Sequence, residues 1–145
     1  MERSSFTVAD IMRRRPVCVA PEATLRDLVG LLVRRGISGC PVVDADGTAV
    51  GTVSTTDLLW LSDSLVPLSP KSPQWQDRAR TILDGQTVRD IMTPDVFGVR
   101  PEEGLEALSL FFSKTGLHRA LVLDDGDLVG VVSISDLLEW IAWHG

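Results

Sequence analysis

The chain has 145 residues, of which 44% are hydrophobic and 23% are charged, and its formal net charge is −6. This composition is typical of a globular domain with a core, and the acidic balance argues against a protein that binds nucleic acid through a broad basic face. The two cysteines, Cys18 and Cys40, are too few and too far apart in sequence for a zinc knuckle or a CxxC redox pair. The sequence has no run of about 18 apolar residues, the length that a membrane-spanning helix needs. We therefore expect a cytoplasmic protein with reduced thiols, no nucleic-acid partner and no direct membrane insertion.

An internal repeat organises the sequence. The segment Thr7–Met12 reappears 80 residues later as Thr87–Met92, and eight of the sixteen positions in 7–22 and 87–102 are identical. A second segment, Gly51–Leu59, matches Gly130–Leu138 at six of nine positions. The sequence therefore predicts two copies of one unit, at residues 7–62 and 87–145, joined by a linker at 63–86.

Each copy opens with the same predicted elements. A short apolar run predicts a first strand, at Val17–Val19 in the first copy and at Val96–Val99 in the second. A helix with an apolar stripe follows. In the first copy, Thr24 and Asp27 have the spacing of a capping box at its start, and Gly36 predicts its end.

A hairpin and a second helix complete each copy. The strand Cys40–Val43 is followed by an acidic turn that contains Asp46-Gly47, a strong hairpin signal. In the second copy the turn is Asp124–Asp127, which lacks the spacing of a calcium loop. A closing helix is predicted to begin near Thr56 and near Ser135.

The linker divides into two halves by composition. Residues 62–73 are rich in Pro and Ser, which predicts no regular structure. Residues 75–83 predict a short helix that ends at Asp84-Gly85. We expect this helix to pack on the rest of the protein through Trp75 and Ile82.

Three segments in this order give the chain a resemblance to a known family. They are the leading Val-x-Asp-Ile-Met, the central Pro41-Val42-Val43 and the segment Gly-x-Val-Ser-x-x-Asp-Leu-Leu. The chain resembles a tandem CBS-domain protein, or Bateman module, apart from the linker and the first six residues. The resemblance implies an α/β fold of two βαββα units, related by a pseudo-twofold and packed through their sheets. It also implies that an adenine nucleotide or related adenosyl compound binds in two clefts between these units.

The segment Gly-x-Val-Ser-x-x-Asp supplies the principal candidate site residues, Ser54 with Asp57 and Ser133 with Asp136. A serine at the end of a strand and an aspartate in the next helical turn can face the same cleft. The resemblance implies that the carboxylate accepts from the ribose hydroxyls and that the serine and the helix start meet a phosphate. The alternative is that both residues only cap the helix, a role that both prefer.

The strands around these motifs would hold the adenine by resemblance. Candidate residues are Cys40 and Pro41 on one wall in the first copy, with Ala120 as the counterpart in the second. The early strands would form the opposite wall, through Val17, Cys18, Phe97 and Gly98. The alternative is that these residues are plain core strands. The second copy departs from the pattern, because Leu121 replaces the proline.

Basic residues distinguish the two copies. His118-Arg119 stands where the first copy has Ser38-Gly39, and Arg119 could meet a phosphate with two donors. The alternative is an exposed pair at a helix end. Arg13-Arg14-Arg15 is interpreted as an exposed face or as a cluster that steers phosphate into the first cleft. We therefore expect two unequal sites, of which the Asp136 site is better suited to a phosphorylated ligand.

The sequence offers no catalytic constellation and no metal site, so we expect a regulatory protein that is not an enzyme and requires no cofactor. The regulatory ligand would be AMP, ADP, ATP or S-adenosylmethionine, and the effector would be an enzyme or a transporter. Apolar residues near the closing helices, among them Trp140 and Trp143, predict a homodimer. The alternative is a ligand-independent module for protein–protein interaction or dimerisation.

Overall fold

The structure is a computed structural model that describes residues 6–65, 68–69 and 71–144. Its helices and strands follow the predicted order. The helices are α1 (Val8–Ile11), α2 (Leu25–Arg35), α3 (Leu59–Leu65), α4 (Pro73–Gly85), α5 (Val88–Ile91), α6 (Leu105–Thr115) and α7 (Ile134–His144). The strands are β1 (Gly39–Val43), β2 (Ala49–Ser54), β3 (Gly98–Val99), β4 (Arg119–Asp124) and β5 (Asp127–Ser133), and a 3-10 turn at Thr55–Leu58 precedes α3.

The described residues form two compact units whose limits are offset from the sequence repeats. One unit is Val17–Asp95, and the other combines the described residues up to Pro16 with the described residues from Val96 onward. The short helix that opens each repeat therefore packs with the sheet of the other repeat. In the Val17–Asp95 unit, the backbone N–H of Val88 in α5 donates to the carbonyl of Ala23 at 2.9 Å. We call the two units the Asp57 unit and the Asp136 unit.

The Asp57 unit has a two-stranded antiparallel sheet, β1–β2, in which Cys40 faces Val53. Helix α2 packs its apolar stripe against this sheet because its leucines recur at helical spacing. The core contains Val19, Leu25, Leu28, Leu32, Cys40, Val42, Val53 and Val88. Ile82 of α4 packs against the same core, as predicted for the linker helix, whereas Trp75, which was predicted to pack with it, is half-buried and lies outside this set of described core residues.

The Asp136 unit has a three-stranded sheet in the order β3–β4–β5. Strands β3 and β4 are parallel, whereas β4 and β5 form an antiparallel hairpin. The turn of this hairpin has positive φ at Asp125 (49°) and Gly126 (89°), which is the backbone that a tight two-residue hairpin requires. The core contains Val8 from α1 together with Val99, Leu108, Phe112, Ala120, Val122, Val132 and Leu137.

The first strand of each repeat is shorter than predicted, and Pro41 explains the difference between the copies. Val19 makes a single parallel bridge to Val42, through its N–H to the carbonyl of Pro41 (3.0 Å) and its carbonyl to the N–H of Val43 (2.9 Å). The ladder cannot extend toward Val17, because Pro41 has no N–H to donate. The second copy has Leu121 at this position, and its ladder extends over two residues as β3.

The helix boundaries confirm the predicted caps of α2 and correct the predicted structure of the linker. The Thr24 side chain accepts from the Asp27 N–H, and Gly36 ends α2 in the left-handed conformation with φ of 60°. The linker helix runs from Pro73 to Gly85, and Ser72 caps its start. The prediction of irregular structure was wrong for residues 62–65, because the helical turn that starts at Thr55 continues into α3. Residues 66, 67 and 70 lie outside the described part of the chain.

None of the helices in the described residues is long and apolar enough to cross a membrane.

Candidate functional site

The Ser54–Asp57 motif forms a tight hydrogen-bonded turn at the end of β2. Asp57 Oδ2 accepts from the backbone N–H of Ser54 at 2.8 Å and from the Ser54 hydroxyl at 3.4 Å. The N–H of Thr55 donates to the Ser38 carbonyl at 2.8 Å, which ties the turn to the start of β1. Both contacts of the carboxylate use Oδ2. The capping role is therefore present, and it employs one oxygen of the carboxylate.

Asp57 lines a cavity of about 440 Å³ within its unit. The other lining residues are Trp60 from α3, Gln86, and Asp90 and Ile91 from α5. Two carboxylates and an indole suit a ligand that presents hydroxyl groups, whereas they repel an uncompensated phosphate. The sequence analysis missed Gln86, Asp90 and Ile91, because it assigned Gln86 to the linker and α5 to the second repeat.

The Ser133–Asp136 motif at the end of β5 has the same bond from the serine N–H to the carboxylate, but a different hydrogen bond of the serine hydroxyl. Asp136 Oδ2 accepts from the Ser133 N–H at 2.9 Å, and the Ser133 hydroxyl accepts from the Asp136 N–H at 3.0 Å. The N–H of Ile134 donates to the carbonyl of His118 at 2.9 Å. The two motifs are therefore equivalent in their backbone hydrogen bonds as well as in sequence.

Arg13 adds a contact to the Asp136 motif that has no counterpart at Asp57 among the residues that the structure describes. Its Nε lies 3.5 Å from Asp136 Oδ1, and the Asp136 side chain is only 12% exposed. The sequence interpretation gave Arg13-Arg14-Arg15 as an exposed face, or as a cluster that steers phosphate into the first cleft. All three arginines are exposed, and they belong with α1 to the Asp136 unit and not to the Asp57 unit. The repeat at Thr7–Met12 and Thr87–Met92 marked this segment as important but could not show which sheet it joins.

Two glycines of the repeat allow the segments after α1 and α5 to lie against the sheets. A Cβ on Gly51 would lie 2.5 Å from the carbonyl oxygen of Thr93, and a Cβ on Gly130 would lie 2.6 Å from the sulfur of Met12. Arg13 and Val131 exchange backbone hydrogen bonds of 2.8 and 3.0 Å beside Gly130. The glycine of the motif therefore serves close backbone packing.

His118 and Arg119 are exposed at the start of β4. Arg119 is the direct cross-strand partner of Ser133, and Gly39 holds the same position opposite Ser54. A Cβ on Gly39 would lie 2.9 Å from the Val53 carbonyl and 3.0 Å from the Ser54 Cβ. The Asp57 unit therefore has no room for a side chain where the Asp136 unit carries an arginine.

The predicted adenine-wall residues divide between the two units in the same way as the motifs. Cys40, Pro41 and Ala120 are buried in their strands, whereas Cys18 and Gly98 are exposed and Val17 is half-buried. Phe97 exposes 59% of its surface, which leaves a ring face accessible for stacking. The carbonyl of Pro41 already accepts from Val19, so this group is engaged within the sheet. These contacts are compatible with the core-strand alternative for the buried residues.

A comparison with protein-family models matches the CBS domain at residues 8–63 and again at 88–142. The chain belongs to the CBS-domain family. The tandem arrangement and the α/β fold are both confirmed, since solved CBS-pair structures superpose on nearly the whole chain. Among the described residues, no cluster of His, Cys, Asp or Glu could hold a metal ion.

Three CBS proteins illustrate the similarity. CBSX2, a chloroplastic protein of Arabidopsis thaliana, is 32% identical over 91% of this chain. Its crystal structure in complex with AMP has a TM-score of 0.76 and 30% identity, and covers 95% of this chain and 97% of that one. The uncharacterised protein MJ1426 of Methanocaldococcus jannaschii is 30% identical over 91% of this chain and 89% of its own length. The CBS domain of a bacterial CNNM/CorC family Mg²⁺ transporter, in complex with ATP, has a TM-score of 0.71 and 26% identity, and covers 94% of this chain and 87% of that one.

The chain spans 62% of the length of CBSX2, so the similarity covers only part of that relative.

Proposed function

We propose that this CBS-domain chain is a regulatory module that binds an adenine nucleotide or related adenosyl compound at its two Ser-x-x-Asp motifs. The observation that carries the proposal is the shared geometry of these motifs. In each, a strand-end serine N–H fixes one oxygen of the aspartate, at 2.8 Å for Asp57 and 2.9 Å for Asp136. The AMP complex of CBSX2 and the ATP complex of the CNNM/CorC domain support the choice of ligand class.

The chemistry at each motif follows from the hydrogen-bonding capacity of a carboxylate. Because Oδ2 is held by the backbone, the side chain is oriented before a ligand arrives, and less conformational entropy is lost on binding. The second oxygen, Oδ1, has two lone pairs and can accept from the two hydroxyls of a ribose. The adenine would lie along the walls formed by Val17, Cys18, Cys40 and Pro41 in one unit, and by Phe97, Gly98 and Ala120 in the other.

The two motifs are expected to differ in ligand preference. The Asp57 cavity contains a second carboxylate, Asp90, which opposes an anionic ligand. The Asp136 motif has Arg119 across the strand from Ser133 and Arg13 beside its carboxylate. His118, adjacent to Arg119, would stack or donate to the same ligand. Phosphorylated ligands such as AMP, ADP and ATP should therefore bind more tightly at the Asp136 motif.

Regulation requires that the ligand favours one conformation of the module over another. Coupling of this kind is typically worth about 1–3 kcal/mol. The effector would be an enzyme or a transporter, and the module itself would catalyse no reaction. A homodimer remains our expectation, because Leu138 and Ile141 lie three residues apart on α7 and are both exposed. The cytoplasmic location remains a prediction, and CBSX2 is chloroplastic.

Calorimetric titration of AMP, ADP, ATP and S-adenosylmethionine tests the proposal. We expect binding by the native protein, and a loss of at least tenfold in affinity at the corresponding motif in Asp57→Asn and Asp136→Asn. Asparagine retains an oxygen for the serine N–H but lacks the second acceptor. Asp27→Asn is the matched control, since Asp27 caps α2 in the same way and is exposed.

Absence of binding to all four compounds would contradict the proposal for this ligand panel. It would favour the alternative of a ligand-independent interaction module, for which the exposed apolar residues of α7 would supply the contact surface. Binding that survives both aspartate substitutions would mean that the ligand occupies another site.

A further inference from the structure

The segment after α1 differs in charge from the equivalent segment after α5. Residues 13–15 are three arginines, whereas the equivalent residues 93–95 are Thr-Pro-Asp. The backbones of the two segments are held alike: Arg13 exchanges hydrogen bonds with Val131, and Thr93 exchanges hydrogen bonds of 2.9 Å with Thr52. The same backbone position therefore carries a guanidinium in the Asp136 unit and a hydroxyl in the Asp57 unit.

The guanidinium of Arg13 is directed at the carboxylate oxygen that the capping turn does not use. Its Nε lies 3.5 Å from Asp136 Oδ1, while Oδ2 accepts from the Ser133 N–H. The Arg13 side chain is 79% exposed and the Asp136 side chain is 12% exposed. An ion pair with one member in solvent contributes little to stability, so a ligand can displace it at low cost.

We infer that Arg13 is a phosphate-selecting residue of the Asp136 motif, an inference that rests on the proposed function. When ribose hydroxyls donate to Asp136, they replace Arg13 at Oδ1, and the guanidinium turns to the phosphate of the same ligand. The fork of an arginine matches two phosphate oxygens. The backbone hydrogen bonds to Val131 do not involve the side chain, so they hold Arg13 in place through this exchange.

This exchange makes the two motifs differ in selectivity and not only in affinity. At the Asp136 motif, a ligand without phosphate displaces Arg13 from Asp136 and leaves the guanidinium without a new anionic partner. A phosphorylated ligand provides its phosphate as that partner. At the Asp57 motif, Thr93 carries no charge to displace. We therefore expect the ratio of AMP affinity to adenosine affinity to be high at Asp136 and low at Asp57.

The test measures that ratio at one motif at a time. In the Asp57→Asn background, AMP and adenosine are titrated calorimetrically into the parent and into Arg13→Gln. The expected result is a fall of about tenfold or more in AMP affinity, consistent with the loss of a charge-assisted hydrogen bond. Adenosine affinity should change less than about twofold. Arg80→Gln is the matched control, because Arg80 is 69% exposed and lies 3.9 Å from Asp77 in a comparably weak ion pair.

A transfer of the residue provides the reciprocal experiment. In the Asp136→Asn background, Thr93→Arg should raise the AMP-to-adenosine affinity ratio of the Asp57 motif. A purely structural role for Arg13 would lower both affinities together, and this result would overturn the inference. An unchanged ratio of AMP affinity to adenosine affinity in Arg13→Gln would also overturn it. The proposed function would still stand in that case, provided that the parent binds AMP and that this binding depends on Asp136. If the Asp57→Asn parent binds neither AMP nor adenosine while the native protein binds AMP, this inference fails alone. If the native protein binds none of the four adenosyl compounds, the proposed function fails and this inference fails with it.

Discussion

Helix α1 provides a test of the offset between sequence repeats and compact units. Val8 is fully buried in the core of the Asp136 unit, and the N–H groups of Val8 and Ala9 donate to the carbonyls of Glu103 (2.8 Å) and Pro101 (2.9 Å). In the sequence, however, Val8 belongs to the first repeat. The substitution Val8→Ala should therefore destabilise the sheet of the second repeat.

The magnitude follows from the two carbon atoms removed. At about 0.8 kcal/mol per buried methylene, the transfer term is about 1.6 kcal/mol. A cavity term adds to it, because the backbone bonds to residues 101 and 103 restrict the collapse of α1. We expect a loss of about 2 kcal/mol in the free energy of unfolding, measured by urea denaturation. Val88→Ala is the matched variant, since Val88 is fully buried in the core of the Asp57 unit.

Hydrogen exchange locates the effect of each substitution. Val8→Ala should accelerate exchange of the amides in β4 and β5, whereas Val88→Ala should accelerate exchange in β1 and β2. Faster exchange in β1 and β2 for Val8→Ala, with β4 and β5 unaffected, would refute the assignment of α1 to the Asp136 unit.

Three other features of the structure give independent tests. Gly51→Ala should lower the free energy of unfolding by about 2 kcal/mol, because its Cβ would lie 2.5 Å from a carbonyl oxygen. Gly85→Ala should not lower it, because a Cβ there meets no atom beyond its own helix and chain neighbours. A thiol reagent should label Cys18 rapidly and the buried second cysteine only after unfolding, so two fast thiols would contradict the burial pattern. The hydrogen bond from Arg26 holds the pKa of Asp84 below its usual range. The Arg26–Asp84 interaction should therefore be complete above the usual carboxyl pKa and be lost as the pH falls through the lowered value, and Arg26→Gln should return the carboxyl titration seen by NMR to its usual range.

The order of the elements could be predicted from the sequence because local signals define them. The capping box at Thr24 and the glycine at 36 fixed the ends of α2, and the Asp-Gly pairs fixed both hairpin turns. The length of the first strands could not be predicted in this way. It depends on whether the partner strand, β1 or β4, has an N–H to donate at the position where the ladder would extend. That position is Pro41 in the first copy and Leu121 in the second, and both are distant in sequence from the first strand.

The candidate site was predictable to the extent that it lies within one repeat. Ser54 with Asp57, and Ser133 with Asp136, adopt the expected turn because each motif is local. The contact between Arg13 and Asp136 could not be predicted, because the repeat shows that one segment is a copy of another and does not show which sheet the segment joins. The same limit hid Gln86, Asp90 and Ile91, which line the Asp57 cavity from the segment around α5.

The central claim is that the two aspartates bind an adenosyl ligand, and it is tested most directly by a calorimetric titration of AMP into three proteins. These are the native protein, the double variant Asp57→Asn with Asp136→Asn, and the capping control Asp27→Asn. Our proposal predicts saturable binding by the native and control proteins and none by the folded double variant. Equal binding by all three proteins, or binding by none, would contradict it.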